Sequence, residues 1–219
     1  MKIYLAGPDV FLPDALAIGQ RKQDICARHG LTGLYPLDNT IELAARLPSL
    51  QIFKGNEAMM EAADAIIANL TPFRGPGADP GTVYELGYMA GRGRLCLAYC
   101  NDPTPYAGRV ASLTAVKRAP DNRLVDSDGL TVEDFGLPDN LMMIHALEAH
   151  GRPLVLPRKR PDDAWRDLTS FEACVRLAAG KPGCPWQRQA VAKPSASAPI
   201  WCWWSAACSR AGPAPAPPS

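Results

Sequence analysis

The sequence predicts an α/β fold in which a mainly parallel sheet is covered by helices on both faces. Short apolar runs alternate with helical segments through the first 180 residues, and this alternation is typical of such folds. The first apolar run, 3–6, ends abruptly at Gly7 and Pro8, as a buried strand does. A chain of 219 residues with 47% hydrophobic residues is long enough for one well-buried core.

The elements follow one another in a regular order. After the first strand, a helix over 14–29 ends at Gly30, which is a common helix C-terminal signal. A second strand is predicted over 33–36, and a helix over 50–63 places Ile52, Met59, Met60 and Ala63 broadly along one face. The remaining predicted elements are a strand over 65–70, a helix over 81–91, strands over 95–98 and 153–156, and helices over 139–148 and 162–179. The sheet is therefore roughly five-stranded, and segment 101–130, which lacks strong periodicity, is either a lid or an interface loop.

The loops after the first and third strands are the places where chemistry is expected. Right-handed crossovers bring all strand-to-helix loops to one sheet edge, where ligands of such folds bind. The loop 71–81 holds three glycines and three prolines, so its shape is defined. Asp79 and Pro80 predict an N-cap and first helical residue, and Glu85 then falls about one and a half turns into the helix. The carboxylates of Asp79 and Glu85 are expected to converge on one pocket.

Composition excludes several classes of protein. The formal net charge of +1 argues against a nucleic-acid polymer as partner, because such binding needs a clustered basic excess. No apolar run reaches the length of a membrane helix, and the N-terminus lacks the pattern of a signal peptide, so a cytoplasmic protein is expected. Cysteine spacing predicts neither a metal site nor a cofactor, and Cys26, Cys96, Cys100 and Cys174 are expected to be small core residues.

The composition changes near Gly180, which separates a predicted domain over 1–180 from a tail over 181–219. The tail contains eight of the 22 prolines and four of the five tryptophans but no Asp or Glu. It has neither helical nor strand periodicity, so a disordered tail is predicted. Its run Trp201-Cys202-Trp203-Trp204 is either a docking patch or an extension under little selection.

Four segments in chain order carry a resemblance to a known family. They are Lys2-Ile3-Tyr4-Leu5-Ala6-Gly7-Pro8, the stretch from Ala63 to Gly75, Gly81-Thr82-Val83-Tyr84-Glu85-Leu86-Gly87-Tyr88, and Phe135-Gly136-Leu137-Pro138-Asp139-Asn140-Leu141-Met142. Together these segments resemble the nucleoside 2-deoxyribosyltransferase family. The resemblance extends from Lys2 to about Ala179 and leaves the tail uncovered.

The resemblance implies a fold, a reaction and a set of site residues. It implies a flavodoxin-like three-layer α/β/α sandwich that transfers 2-deoxyribosyl groups between nucleobases, with 2′-deoxyribonucleosides and free bases as partners. It assigns Glu85 as the nucleophile, Tyr4 as the residue that holds this carboxylate, and Asp79 as a substrate contact. It further implies a homo-oligomer in which Asn140 and Met142 reach a neighbouring subunit's active site, with Asn140 binding sugar hydroxyls.

One position departs from the best-known members of this family. Many of them carry, eight residues before Asp64, an aspartate that protonates the leaving base, and here that residue is Asn56. An amide can bind a base edge but cannot act as an acid, so Asp79 is the first candidate for the general acid.

The other predicted substrate-binding residues lie in the two loops and at the start of the following helix; they are Asp9, Phe11, Phe73, Arg74 and Gly81. Two alternatives to base exchange stay open, namely hydrolysis of deoxynucleosides or their 5′-monophosphates and a non-catalytic nucleotide-sensing module. The charge of Asp9 is expected to repel a phosphate and so to favour the free nucleoside.

Overall fold

The structure is a computed structural model that describes residues 1–39 and 47–180. The predicted tail, 181–219, lies outside the described residues. In the part of the chain that the structure describes, no helix is long and apolar enough to cross a membrane.

The core of the fold is a parallel four-stranded sheet. Its strands are β1 (Lys2–Ala6), β2 (Thr32–Leu34), β3 (Ala65–Asn69) and β4 (Leu95–Tyr99), in the order β2-β1-β3-β4. The central strand β1 pairs with both neighbours, so that Tyr4 lies opposite Leu34 on one side and Ile66 on the other. The predicted α/β fold with a mainly parallel sheet is confirmed.

The predicted fifth strand is reduced to single bridges along the outer edge of β4. Val155 donates to the carbonyl of Ala98 and accepts from the amide of Cys100, and Gly151 forms a second bridge to Cys96. A Cβ at Gly151 would lie 1.6 Å from the carbonyl oxygen of Cys96, so only glycine permits this approach. The segment therefore completes the order 2-1-3-4-5 of flavodoxin-like sheets, in which the switch point lies between β1 and β3.

Helices cover both faces of the sheet and make a three-layer sandwich. They are α1 (Ala15–Arg28), α2 (Pro48–Ala62), α3 (Pro80–Gly91), α4 (Tyr106–Leu113), α5 (Leu141–His150) and α6 (Thr169–Ala178). Helices α1 and α6 bury residues such as Ile25 and Phe171 against one face of the sheet. Helices α2, α3 and α5 bury Met60, Leu86 and Leu147 against the other. Each such side chain contributes about 1.5–3 kcal/mol by leaving water.

Two segments differ from their predicted form. Segment 101–130 holds helix α4 and a small antiparallel hairpin of β5 (Lys117–Arg118) and β6 (Leu124–Val125), rather than an open loop. Its helical pattern was obscured because Arg109, a charged residue, occupies a buried position of α4. The last helix begins at Thr169 rather than at residue 162, because bends and a turn occupy 162–166 and the carboxylate of Asp167 accepts from the amide of Thr169. The four cysteines predicted to be core residues are all buried and unpaired.

Candidate active site

Tyr4 and Glu85 form the central contact of the site. Tyr4 lies on β1 with its side chain in the layer of α2, α3 and α5, while Glu85 lies in the second turn of α3. The Tyr4 hydroxyl donates to Oε1 of Glu85 at 2.5 Å, across 81 residues of sequence. Because one partner belongs to a central strand and the other to a packed helix, the carboxylate is held by regular structure rather than by a loop.

The surroundings of Glu85 favour its protonated form. Burial raises the pKa of Glu85 to about 7, the Tyr4 hydrogen bond lowers it, and the nearby charge of Asp79 raises it. Burial and the charge of Glu85 together raise the pKa of Tyr4 well above its usual range, so Tyr4 remains a hydrogen-bond donor. A carboxylate that changes charge near neutral pH inside a cleft is a characteristic feature of functional sites.

Asp79 is the N-cap of α3, as predicted from the sequence. Its Oδ2 accepts from the backbone amide of Thr82 at 2.9 Å and from the Thr82 hydroxyl at 3.0 Å. Thr82 is buried and was not singled out in the sequence, although its position three residues after an N-cap is a usual one for such a contact. Both bonds fall on Oδ2, which leaves Oδ1 for another partner. A Cβ at Gly81 would lie 3.0 Å from Oδ2, so glycine at this position gives the cap room.

A depression of about 520 Å³ lies beside this cap, lined by the loop after β3, which includes Phe73, Arg74 and Asp79. Arg74 adopts a φ of 55°, in the left-handed region that non-glycine residues rarely enter. Its guanidinium lies 4.6 Å from the ring centroid of Phe73 and 5.4 Å from that of Phe11. The loop is therefore shaped to bring a cation onto two aromatic faces.

The predicted residues Phe11 and Phe73 are brought together by the two loops. Their rings stack with centroids 5.3 Å apart, and Phe11 remains 58% exposed. Trp165 joins them with its ring edge-on to Phe73 at 6.1 Å. The sequence offered no signal for Trp165, because it lies in a turn far along the chain and outside every recognisable motif. Exposed, stacked rings of this kind can accept a planar heterocycle.

Asp9 has a different environment from the one expected. It is buried, forms an ion pair with the buried Lys22 of α1, and accepts from the side-chain amide of Asn69 at 2.9 Å. Its negative charge is therefore compensated inside the protein. The expectation that Asp9 repels a substrate phosphate is not supported, because Lys22 neutralises that charge at close range. Lys22 could not be singled out from its sequence neighbours, since a lysine in an amphipathic helix is normally solvated.

Asn56 lies on α2, one turn after Phe53, whose ring centroid is 6.4 Å from that of Tyr84. Its Oδ1 accepts from Nδ2 of Asn39 at 3.0 Å. Asn39 follows a short helical turn, Pro36–Asp38, at the carboxyl end of β2. The structure adds it to the surroundings of the predicted base contact.

Asn140 and Met142 lie at the beginning of α5, where Asn140 is the N-cap. Asn140 accepts from the amide of Met142 and donates to Glu133 at 2.6 Å, so both ends of its side-chain amide are held. The preceding Asp139 is buried and paired with Arg109 at 3.0 Å. Met142 is 72% exposed and points away from its own core. The structure thus presents this element rigidly at the surface.

Metal-ligating residues are not clustered in the described ranges: no group of three or more His, Cys, Asp or Glu there could hold an ion. Residues 3–142 match the family described as nucleoside 2-deoxyribosyltransferase, which is more than half of the chain. The chain belongs to that family. Apart from Lys2, the four segments that carried the resemblance in the sequence lie within this match, which extends from β1 to the start of α5.

Proteins similar to this chain include one relative found by sequence and two solved structures. An uncharacterized protein of Schizosaccharomyces pombe is 33% identical over 155 residues, which are 64% of this chain and 74% of that protein. A solved 2-desoxiribosyltransferase from Leishmania mexicana is 36% identical, covers 65% of this chain and 84% of its own, and superimposes with a TM-score of 0.53. A solved conserved protein from Enterococcus faecalis V583 is 19% identical, covering 81% and 98% of the two chains at a TM-score of 0.51, and shares the fold.

Proposed function

We propose that the protein exchanges nucleobases between 2′-deoxyribonucleosides, with Glu85 as the nucleophile. The observation that carries this proposal is the hydrogen bond from the buried Tyr4 hydroxyl to Oε1 of Glu85. It fixes one carboxylate oxygen and leaves the other to meet a sugar. Membership of the family and the likeness to the Leishmania mexicana enzyme support the same reaction.

In the first step, the free oxygen of Glu85 bonds to the anomeric carbon while the bond from that carbon to the base nitrogen breaks. The electron pair of the broken bond goes to the base, which takes up a proton. Partial burial of Glu85 favours this step, because the carboxylate loses its unfavourable charge as the ester forms. Tyr4 holds the carboxylate in line and stays protonated throughout.

In the second step, a nitrogen of another base attacks the same carbon and the bond to Glu85 breaks. The electron pair returns to the carboxylate, the incoming base releases its proton, and two inversions give net retention. Asp79 is our candidate for the group that gives and takes these protons, because its Oδ1 is not used by Thr82. Such general acid–base assistance contributes roughly 10²–10⁴ in rate.

The loops supply the base site of this proposal. The stacked rings of Phe11 and Phe73, with Arg74 over them, provide a flat and partly exposed surface beside the depression at Asp79. Asn56 supplies an amide for the base edge. Gly81 leaves space at the start of α3 for the sugar to approach Asp79.

The site is proposed to be completed by a second copy of the chain. Asn140 and Met142 stand on a rigid surface element held by Glu133 and by the buried Arg109–Asp139 pair. Apolar side chains on α2 and α3 are also exposed, among them Leu50, Ile52, Phe53 and Tyr84. Contiguous exposed apolar residues mark interaction surfaces, which fits a homo-oligomer with shared sites. In that arrangement Asn140 would offer its remaining hydrogen-bonding capacity to a sugar hydroxyl.

One assay tests the reaction directly. The full chain is incubated with deoxyinosine and free adenine, and the products are separated by chromatography. Formation of deoxyadenosine and hypoxanthine supports exchange. Free deoxyribose without deoxyadenosine would replace the proposal with hydrolysis, and binding without any product would replace it with a sensing module.

The nucleophile is tested with Glu85→Ala. Exchange is expected to fall by at least the 10³–10⁴ that loss of a covalent nucleophile removes, on the order of the effects known for such groups. Glu148→Ala, which removes an exposed glutamate of α5, is the matched control and should retain full activity. Circular dichroism establishes that both variants fold, and substantial exchange by folded Glu85→Ala would refute the assignment.

A further inference from the structure

Asn39 and Asn56 form a side-chain pair whose orientation is fixed by the backbone. Nδ2 of Asn39 donates to the carbonyl oxygen of Pro36 at 3.1 Å and to Oδ1 of Asn56 at 3.0 Å. A carbonyl oxygen can only accept, so the end of the Asn39 amide that faces Pro36 must be its NH₂ group. The same NH₂ group faces Asn56, which must therefore present its oxygen to Asn39.

The amide of Asn56 can therefore present only its NH₂ group to a ligand. An asparagine can normally offer either an acceptor or two donors to a ligand by rotating its amide through 180°. With Oδ1 engaged by Asn39, the opposite end of Asn56 is its NH₂ group. Among residues 1–39 and 47–180, this NH₂ group has no hydrogen-bond partner. Rotation of Asn56 would place NH₂ against NH₂ and break the bond to Asn39.

Gly55 makes this arrangement possible. A Cβ at position 55 would lie 2.8 Å from Cγ and Nδ2 of Asn39 and 2.9 Å from its Oδ1. Any side chain at position 55 would push the Asn39 amide away from Asn56. Glycine in the middle of a helix destabilises it by about 1 kcal/mol relative to alanine, so its presence in α2 calls for a local reason. The close approach of Asn39 supplies that reason.

We propose that Asn39 is a specificity-determining positioning residue, which holds the Asn56 amide with its NH₂ group toward the base. This inference rests on the proposed function, in which Asn56 meets the base edge. A fixed donor binds a base acceptor and rejects a base donor at the same position. Adenine presents an acceptor at N1 and a donor at C6, whereas hypoxanthine presents a donor at N1 and an acceptor at C6. Cytosine and thymine differ in the same manner at N3 and C4. Asn39 therefore sets which member of each pair is exchanged faster.

The test compares kcat/KM for the four acceptor bases in the native protein, Asn39→Ala and Gly55→Ala. Freed from Asn39, the amide of Asn56 can rotate to suit either base, so the preference within a pair should shrink by roughly three- to tenfold, the value of one hydrogen bond. Gly55→Ala displaces Asn39 by a second route while raising the intrinsic helix propensity of α2, and circular dichroism establishes that both variants fold. Asp38→Ala, which removes contacts of the same turn to Tyr35 and Gln23, is the matched control and should keep the native preference.

A second comparison separates positioning from a general structural role. In an Asn56→Ala background, adding Asn39→Ala should leave every preference unchanged, because Asn39 acts only through Asn56. If Asn39→Ala lowers kcat/KM equally for all four bases, the role is structural and the inference is wrong. If the native protein exchanges no base at all, the proposed function fails first. Native exchange with an unchanged preference in both single variants would overturn this inference alone.

Discussion

Replacing Glu85 with glutamine should abolish exchange and at the same time stabilise the fold at alkaline pH. Glutamine keeps the size of the side chain and an oxygen for the Tyr4 hydroxyl, but it carries no charge. Burial raises the pKa of Glu85 from its usual 4.5 to about 7, so the folded state disfavours the carboxylate form. The variant removes that unfavourable term and leaves the neighbouring contacts in place.

The sign and size of the effect follow from linkage. Because the folded-state pKa lies above the unfolded value, the contribution of Glu85 to stability is fully present below pH 4.5 and is lost as the pH rises through about 7. The shift corresponds to an upper value of about 3 kcal/mol, at roughly 1.4 kcal/mol per pH unit. The gain from Glu85→Gln should therefore be small at pH 4.5 and should reach its full value by pH 8. For a domain of this size it raises Tm by roughly 6–12 °C.

The assay is thermal or urea unfolding of native protein, Glu85→Gln and Glu148→Gln at several pH values between 4.5 and 8. The exposed Glu148 serves as the control, because its surface pair with His145 contributes at most about 1 kcal/mol to stability. A difference between Glu85→Gln and native protein that stays constant with pH would refute the reasoning. So would a variant that is destabilised at pH 8.

Three further perturbations test other contacts. Under the proposed mechanism exchange needs ionised Glu85, so kcat/KM should rise with pH to a plateau above about 7. Tyr4→Phe should move the midpoint to higher pH, because the Tyr4 hydrogen bond lowers the pKa of Glu85, and a midpoint that moves down contradicts this. Lys22→Met leaves the buried carboxylate of Asp9 without its cation and should lower the unfolding free energy by about 3–5 kcal/mol in urea titrations. The double variant Lys22→Met with Asp9→Asn should recover part of this loss. Equal losses in the single and double variants would mean that the charge of Asp9 is irrelevant. In steady-state kinetics, Phe73→Ala should raise KM for the acceptor base by about two- to tenfold with kcat retained. An unchanged KM would show that Phe73 does not contact the base.

The order of elements was readable from the sequence because each strand is short, apolar and bounded by a breaking residue. The run from Ala65 to Asn69, buried along its whole length, has the composition of a central parallel strand. The cap at Asp79 was also readable, since Asp followed by Pro is a local signal and the contact lies within three residues. Local rules were sufficient for these features.

Contacts between distant segments were not readable in the same way. Lys22 and Asp9 are thirteen residues apart, and a lysine in an amphipathic helix is normally solvated, so nothing local links the two as a buried ion pair. Trp165 contacts Phe73 from a turn within 162–166, more than ninety residues further along the chain. Helix α4 was not predicted, because its buried Arg109 interrupts the apolar pattern of the segment. In each case tertiary pairing gave a polar or isolated residue a place that its sequence neighbours do not indicate.

The proposed nucleophile and most of the residues proposed to select the base, Asn56 of α2 excepted, stand on different kinds of structure. Tyr4 and Glu85 belong to a central strand and a packed helix, whereas Phe11, Phe73 and Asn39 follow the ends of strands. Insertions or substitutions in the loops can therefore alter base choice while the strand and helix that align the sugar stay where they are. A scaffold of this kind separates the evolution of selectivity from the preservation of turnover. Libraries confined to the loops after β1, β2 and β3 are the rational place to seek variants that accept modified bases.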